Sequence, residues 1–126
     1  MCRMLVSIVF PAFNEEKRLI NCLEKTRTFL DSQNFSGEII VVNDGSSDAT
    51  GQIMAGLQDR LHINVVTHER NLGKGAAVKT GIMAAKGDFV LFSDTDLAVA
   101  IETLNKFIEK AMTGCDIVIG SRRIEG

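Results

Sequence analysis

The chain has 126 residues, 45% of them hydrophobic, and a formal net charge of −2. That is enough for one domain with a single core, and it leaves no basic face for nucleic acid. Cys2, Cys22 and Cys115 are odd in number and far apart, with no histidine cluster beside them, which argues against a disulfide framework or a zinc site and for a reducing, cytoplasmic setting.

The first predicted element is a strand over MLVSIVF (residues 4–10). Its apolar run is too short for a secretory signal or a membrane span and stops at Pro11. Leu19, Ile20, Leu23 and Leu30 then recur at helical spacing. EIIVVN (38–43) is a second strand, followed by Ser47 or Asp48 as a helix cap and a helix carrying Ile53, Met54, Leu57 and Leu61. INVVTH (63–68) is a third strand, leading to a helix marked by Ala77, Val78, Ile82 and Ala85. DFVLFS (88–93) is the fourth, with a helix over Ile101, Leu104, Phe107 and Ile108 before a fifth strand, CDIVIG (115–120). The strands are near-continuously apolar, as strands covered on both faces must be. Five alternations of this kind predict an α/β fold: right-handed βαβ units in a doubly wound, mostly parallel sheet with helices on both faces. No repeat or linker divides the chain, so residues 1–126 read as one domain.

In an open parallel sheet the ligand crevice lies beyond the carboxyl ends of the strands. The polar clusters PAFNEE, DGSSDAT, ERNLGKG, SDTDLA and GSRR each follow a strand, so all fall on that edge. Asp94 and Asp96 stand one residue apart there, and two carboxylates so close need a cation. A hard divalent ion, Mg²⁺ or Mn²⁺, takes oxygen ligands, with substrate phosphates and water completing its shell. Arg70, Lys74, Arg122 and Arg123 add the positive charge that a pyrophosphate requires. The expected partner is therefore a nucleoside diphosphate.

Asp44 ends the second strand, where a carboxylate can meet a base imide or a ribose hydroxyl, or can close an Asx-turn with Gly45. Pro11 is the single proline and fixes φ where the first strand leaves the sheet, setting Phe13 and Glu15 in place. Glu15 reads either as a pocket residue or as a first-turn helix carboxylate. GKGAAV lacks the third glycine of a dinucleotide fingerprint and follows the third strand, which rejects NAD. Lys74 is followed by Gly75 instead of Ser or Thr, which rejects a Walker loop. His62 and His68 stand alone in sequence and read as surface or loop residues.

Together PAFNEE, VVNDGSSDAT, RNLGKGAAVKTG, KGDFVLFSDTDLA and DIVIGSR, spanning Ser7 to Arg122, resemble the family 2 glycosyltransferases, and within them the dolichyl-phosphate or polyprenyl-phosphate sugar synthases. The resemblance implies a GT-A fold, a nucleoside-diphosphate sugar of the UDP-glucose or GDP-mannose type, Mg²⁺ or Mn²⁺, and inversion at the anomeric carbon. Carried over by position, Pro11, Phe13 and Glu15 would line the nucleotide pocket and Val42 and Asp44 would meet the base. Asp94 and Asp96 would hold ribose, diphosphate and metal, and Arg122 would bind phosphate; these three form the expected catalytic set. Lys74 is grouped with the nucleotide-sugar ligands, and Ser93, Thr95 and Ala98 would border the site. Phe13, Asn43 and Ala98 depart from the Tyr, Asp and polar residue common in the family, with loss of a hydroxyl contact, altered base contacts and a metal ligand left to water as the expected effects.

Family members continue past GSR into an acceptor-binding half and often a membrane anchor, so the chain is expected to be the nucleotide-binding part, truncated at its C-terminus. An unpaired edge that self-associates, and association with the cytoplasmic face of a membrane through absent segments, are further expectations. A polyprenyl phosphate acceptor needs no general base, whereas a hydroxyl acceptor would. Two alternatives stay open on sequence: a nucleotide-sugar-binding fragment without catalysis, and a sugar nucleotidyltransferase. The second would want a Gly-rich basic loop where PAFNEE stands.

Overall fold

The computed structural model of the chain describes residues 4–95 and residue 106. Four strands and three helices alternate: β1 (Leu5–Ala12), α1 (Leu19–Asp31), β2 (Ser36–Asn43), α2 (Thr50–Leu57), β3 (Ile63–Thr67), α3 (Lys74–Ala84) and β4 (Phe89–Phe92). All pairings are parallel, in the order β3-β2-β1-β4, which is the doubly wound arrangement that the alternation predicts. The expected fifth strand, the fourth helix and the side chains of Asp96, Ala98, Arg122 and Arg123 lie outside the described residues.

The period of two in β1 and β2 sorts their side chains to opposite faces. Val6, Ile8, Phe10 and Ala12 join Ile39 and Val41 under α1 and α2, where Leu19, Cys22, Leu23, Leu30, Met54 and Leu57 complete the larger core. Val9, Ile40 and Val42 face the other way and pack against Ala77 of α3. Both faces of the two central strands are covered, which is why residues 8–10 of β1 and 39–42 of β2 are apolar without interruption. Leu61 stays in the larger core although α2 ends at Leu57, since its N–H donates to the Leu57 carbonyl at 2.9 Å. Among the described residues β4 is covered less than its sequence implies: Val90 is 38% and Phe92 58% exposed.

Pro11 lies inside β1, not at its exit as the sequence suggested. It is tolerated because of direction: the Val9 carbonyl accepts from Ser93 and that of Ala12 from Asp44, so Pro11, two residues on from Val9, faces the β4 side. Pairing with β4 has already ended at Val9↔Phe92, and no ladder bond is lost there.

The chain winds outward from β1 to β3 and then returns so that β4 pairs with the free side of β1. The winding reverses between β1 and β4, and α3 accordingly crosses on the opposite face from α1 and α2. Crevices in such sheets open at that reversal, outside the carboxyl ends of the strands. At the opposite edge Ser7 donates to Glu38 at 2.6 Å, while the N–H groups of Lys86 and Gly87 donate to Glu38 and Ser7 at 3.0 and 2.8 Å. These bonds hold the start of β4 beside β1, which in turn places its far end.

Candidate functional site

The segments after β1 and β2 are joined into one floor. Asn14 has φ 53°, a left-handed conformation that Asn tolerates better than most residues. In that geometry its side-chain oxygen accepts the N–H groups of Ser47 and Asp48 at 2.9 and 3.3 Å, and its own N–H donates to Ser46 Oγ at 3.0 Å. The Glu15 N–H donates to Thr50 Oγ1 at 2.9 Å. The N-cap of α2 is Ala49, which makes no side-chain cap bond, in place of the expected Ser47 or Asp48; Asp48 stands one residue earlier and accepts the Thr50 N–H at 2.9 Å. Burial raises its pKa, but the bonds from the Thr50 hydroxyl and from the N–H groups of Thr50 and Glu16 outweigh that and hold the carboxyl below its ordinary value.

Phe13 emerges from this floor 45% exposed, available as an apolar surface at the mouth of the crevice. Glu15 is engaged by Arg18, whose Nε lies 2.9 Å from its carboxylate, and its backbone carbonyl accepts from Arg18 and Leu19 at the start of α1. Val42, expected to meet the base, has no exposed surface and its side chain packs with Val9, Ile40 and Ala77 in the core beneath α3.

Asp44 is buried, and its two oxygens accept four hydrogen bonds. Oδ1 takes the Leu72 N–H at 2.9 Å and His68 Nδ1 at 2.8 Å; Oδ2 takes the Gly73 N–H at 3.0 Å and Asn71 Nδ2 at 3.1 Å. A carboxylate offers about four acceptor positions, so this one is fully used within the protein. Burial alone would raise its pKa; the His68 bond first, then the two backbone N–H groups, reverse that and leave it lowered. The Asp44 side chain, expected to meet the base, anchors the loop between β3 and α3. Gly45 confirms the closeness of that loop: at φ +69°, a Cβ added there would lie 2.4 Å from Arg70 C and Asn71 N.

His68, expected to be a lone loop residue, is instead part of this anchor. Its N–H donates to the Asn43 carbonyl at 2.9 Å and its ring bridges Asp44 to Thr80 of α3, at 2.8 Å on each nitrogen. Sequence reading missed it because the partners are 24 and 12 positions away, beyond any local periodicity; the usable signal was its place directly after a strand, on the crevice edge. His62 is the exposed turn residue expected, with φ 53°.

The anchored loop delivers Lys74, the first residue of α3, to the end of β4, where its Nζ lies 2.5 Å from Asp94 Oδ1. Ser93 is held by its N–H bond to the Val9 carbonyl at 3.0 Å, and Thr95 is 4% exposed. The structure thus brings Lys74, Ser93, Asp94 and Thr95 together at the reversal point, with Phe13 on the neighbouring strand end. Among the described residues no group of three or more His, Cys, Asp or Glu could hold a metal, and no helix is long and apolar enough to cross a membrane.

The sequence pattern of the family described as Glycosyl transferase family 2 matches residues 7–126. The chain belongs to glycosyl transferase family 2. This family 2 chain is 39% identical over 133 residues to a dolichyl-phosphate beta-glucosyltransferase of Trichomonas vaginalis, covering 97% of itself and 41% of that protein. It is 36% identical over 121 residues to a prophage bactoprenol glucosyl transferase homolog of Escherichia coli, covering 94% of itself and 39% of the relative. Its structure superposes on glucosyl-3-phosphoglycerate synthase from Mycobacterium tuberculosis, solved with Mn²⁺, UDP and glucosyl-3-phosphoglycerate, with a TM-score of 0.59 at 28% identity over 73% of this chain and 33% of that one. The fold is the GT-A type that the motifs implied. The chain spans about two fifths of the length of the curated relatives it matches.

Proposed function

We propose that the chain is the donor-binding part of an inverting glycosyltransferase that moves a hexose from a nucleoside-diphosphate sugar to a polyprenyl or dolichyl phosphate. The observation that carries this reading is the meeting of Lys74 with Asp94 at the reversal point of the sheet, since a cation and an oxygen ligand side by side suit a metal-bound diphosphate. The two glucosyltransferases named above act, by their names, on dolichyl phosphate and bactoprenol, and the synthase structure contains UDP and Mn²⁺.

The residues fit a hard divalent cation. Asp94 offers carboxylate oxygen on a partly exposed side chain, and Asp96 is two residues on. With the donor's phosphates these would hold Mg²⁺ or Mn²⁺, which would neutralise charge on the leaving diphosphate. Lys74 would meet the same phosphates at the amino end of α3, where the helix dipole favours negative charge. Phe13 would cover the base, and Ser93 and Thr95 would fix the carboxylates through the strand end. Arg122 would add a further phosphate contact. A lipid phosphate is already anionic, so the attack needs no general base, and the reaction would take place at a membrane surface.

Isothermal calorimetry with UDP and with GDP, each with and without Mn²⁺, tests the donor half of this reading. Turnover of UDP-glucose with polyprenyl phosphate tests the rest. Metal-dependent binding of one nucleotide at micromolar strength supports the proposal, and no binding of either overturns it.

A further inference from the structure

We propose that His68 is a positioning residue for donor binding: its ring fixes the Asp44 carboxylate, and through it the loop that presents Lys74 at the crevice. The inference rests on the donor reading above but concerns residues that act one step away from the donor.

The ring has few ways to satisfy its neighbours. An ionised Asp44 accepts only, so Nδ1 of His68 must carry the proton of their 2.8 Å bond. Nε2 then accepts from Thr80 Oγ1 when the ring is neutral and donates to it when charged; a hydroxyl serves both. The backbone of His68 is pinned to the end of β2 and Thr80 sits in the middle of α3, so the ring ties the sheet edge to the helix whose first residue is Lys74.

With Asp44 held in this orientation, its oxygens are aimed at the Leu72 and Gly73 N–H groups, and Asn71 closes the loop on both the side-chain and backbone oxygens of Asp44. Gly73 adopts φ 100° as it enters α3, a turn that glycine makes without steric cost. Neither Leu72 at 51% exposure nor the exposed Arg70 and Asn71 side chains bury enough surface to hold this loop by packing. Its conformation rests on the anchor, and the donor phosphates would otherwise have to order it at a cost in affinity.

The test compares the wild-type chain with His68→Leu, His68→Asn and Thr80→Val. The Asn side chain keeps a donor near the Nδ1 position, while Thr80→Val removes only the far end of the bridge. UDP and GDP are titrated in the presence of Mn²⁺, and amide hydrogen exchange is followed at Leu72 and Gly73 against core amides such as Ile8 and Val41.

For His68→Leu the expected result is about tenfold weaker nucleotide binding, the size associated with one lost buried hydrogen bond, with faster exchange at Leu72 and Gly73 and unchanged core protection. His68→Asn should recover most of both. Where His68→Leu does not fold, the same pair of changes in Thr80→Val, smaller in size, carries the inference. Wild-type and folded variants that bind equally and exchange equally overturn it. A wild-type chain that binds neither nucleotide overturns the donor reading itself, and this inference with it.

Discussion

At the scale of single residues, Asp44 shows how a carboxylate in a family motif can be a structural acceptor before it is anything else. Its pKa is lowered from 3.8 because, against the desolvation of a buried side chain, the His68 bond and the Leu72 and Gly73 N–H groups win. A carboxylate with a lowered folded pKa contributes stability that is present above the unfolded value and disappears as the pH falls through the folded one. Asp44→Asn should therefore destabilise the chain by roughly 2 to 3 kcal/mol at pH 7, the range expected when buried donors lose their acceptor. The gap between variant and wild type should close as the pH is taken below the ordinary aspartate range. Urea titrations at pH 7 and pH 3 measure both; a gap that stays constant would assign the shift to another carboxyl group.

At the scale of elements, the strands were readable because parallel strands buried on both faces must be largely apolar, and residues 8–10 of β1 and 39–42 of β2 are. Helix α3 was readable from Ala77 and Val78 but its closest contact was not: a Cβ added at Gly81 would lie 2.2 Å from Val9 Cγ1, so the absence of a side chain is what lets the helix lie on the sheet. Sequence marks such a glycine as a helix weakness of about 1 kcal/mol and says nothing of what opposes it. Gly81→Ala should accordingly destabilise the chain by about 1 to 3 kcal/mol in spite of the better helix propensity, because Val9 is itself fully buried and cannot move aside. Adding Val9→Ala should make the two changes strongly non-additive in a thermal double-mutant cycle, whereas simple additivity would place the clash elsewhere.

At the scale of the whole molecule, the crevice edge was evident in sequence because every polar cluster follows a strand, but which side chains would share it was not. Val42 and Asp44 both stand at the correct end of β2, yet the alternation of the strand sends one into the core and the loop after β3 captures the other. Lys74 and Asp94, 20 positions apart, meet only because the winding reverses between β1 and β4. That arrangement makes a prediction about metal. The described core is held by apolar packing and hydrogen bonds, so EDTA should leave the melting temperature of the ligand-free chain unchanged. With Mn²⁺ and the preferred nucleoside diphosphate at about 100 times its Kd, binding should add about 2.7 kcal/mol, a rise of roughly 10 °C for a chain of this size. EDTA should abolish that rise, and Asp94→Asn should remove most of it while melting normally without ligand, since Asp94 is partly exposed beyond the end of β4. A nucleotide-induced rise that survives EDTA in the wild type would mean that Lys74 and the amino end of α3 hold the diphosphate without a metal.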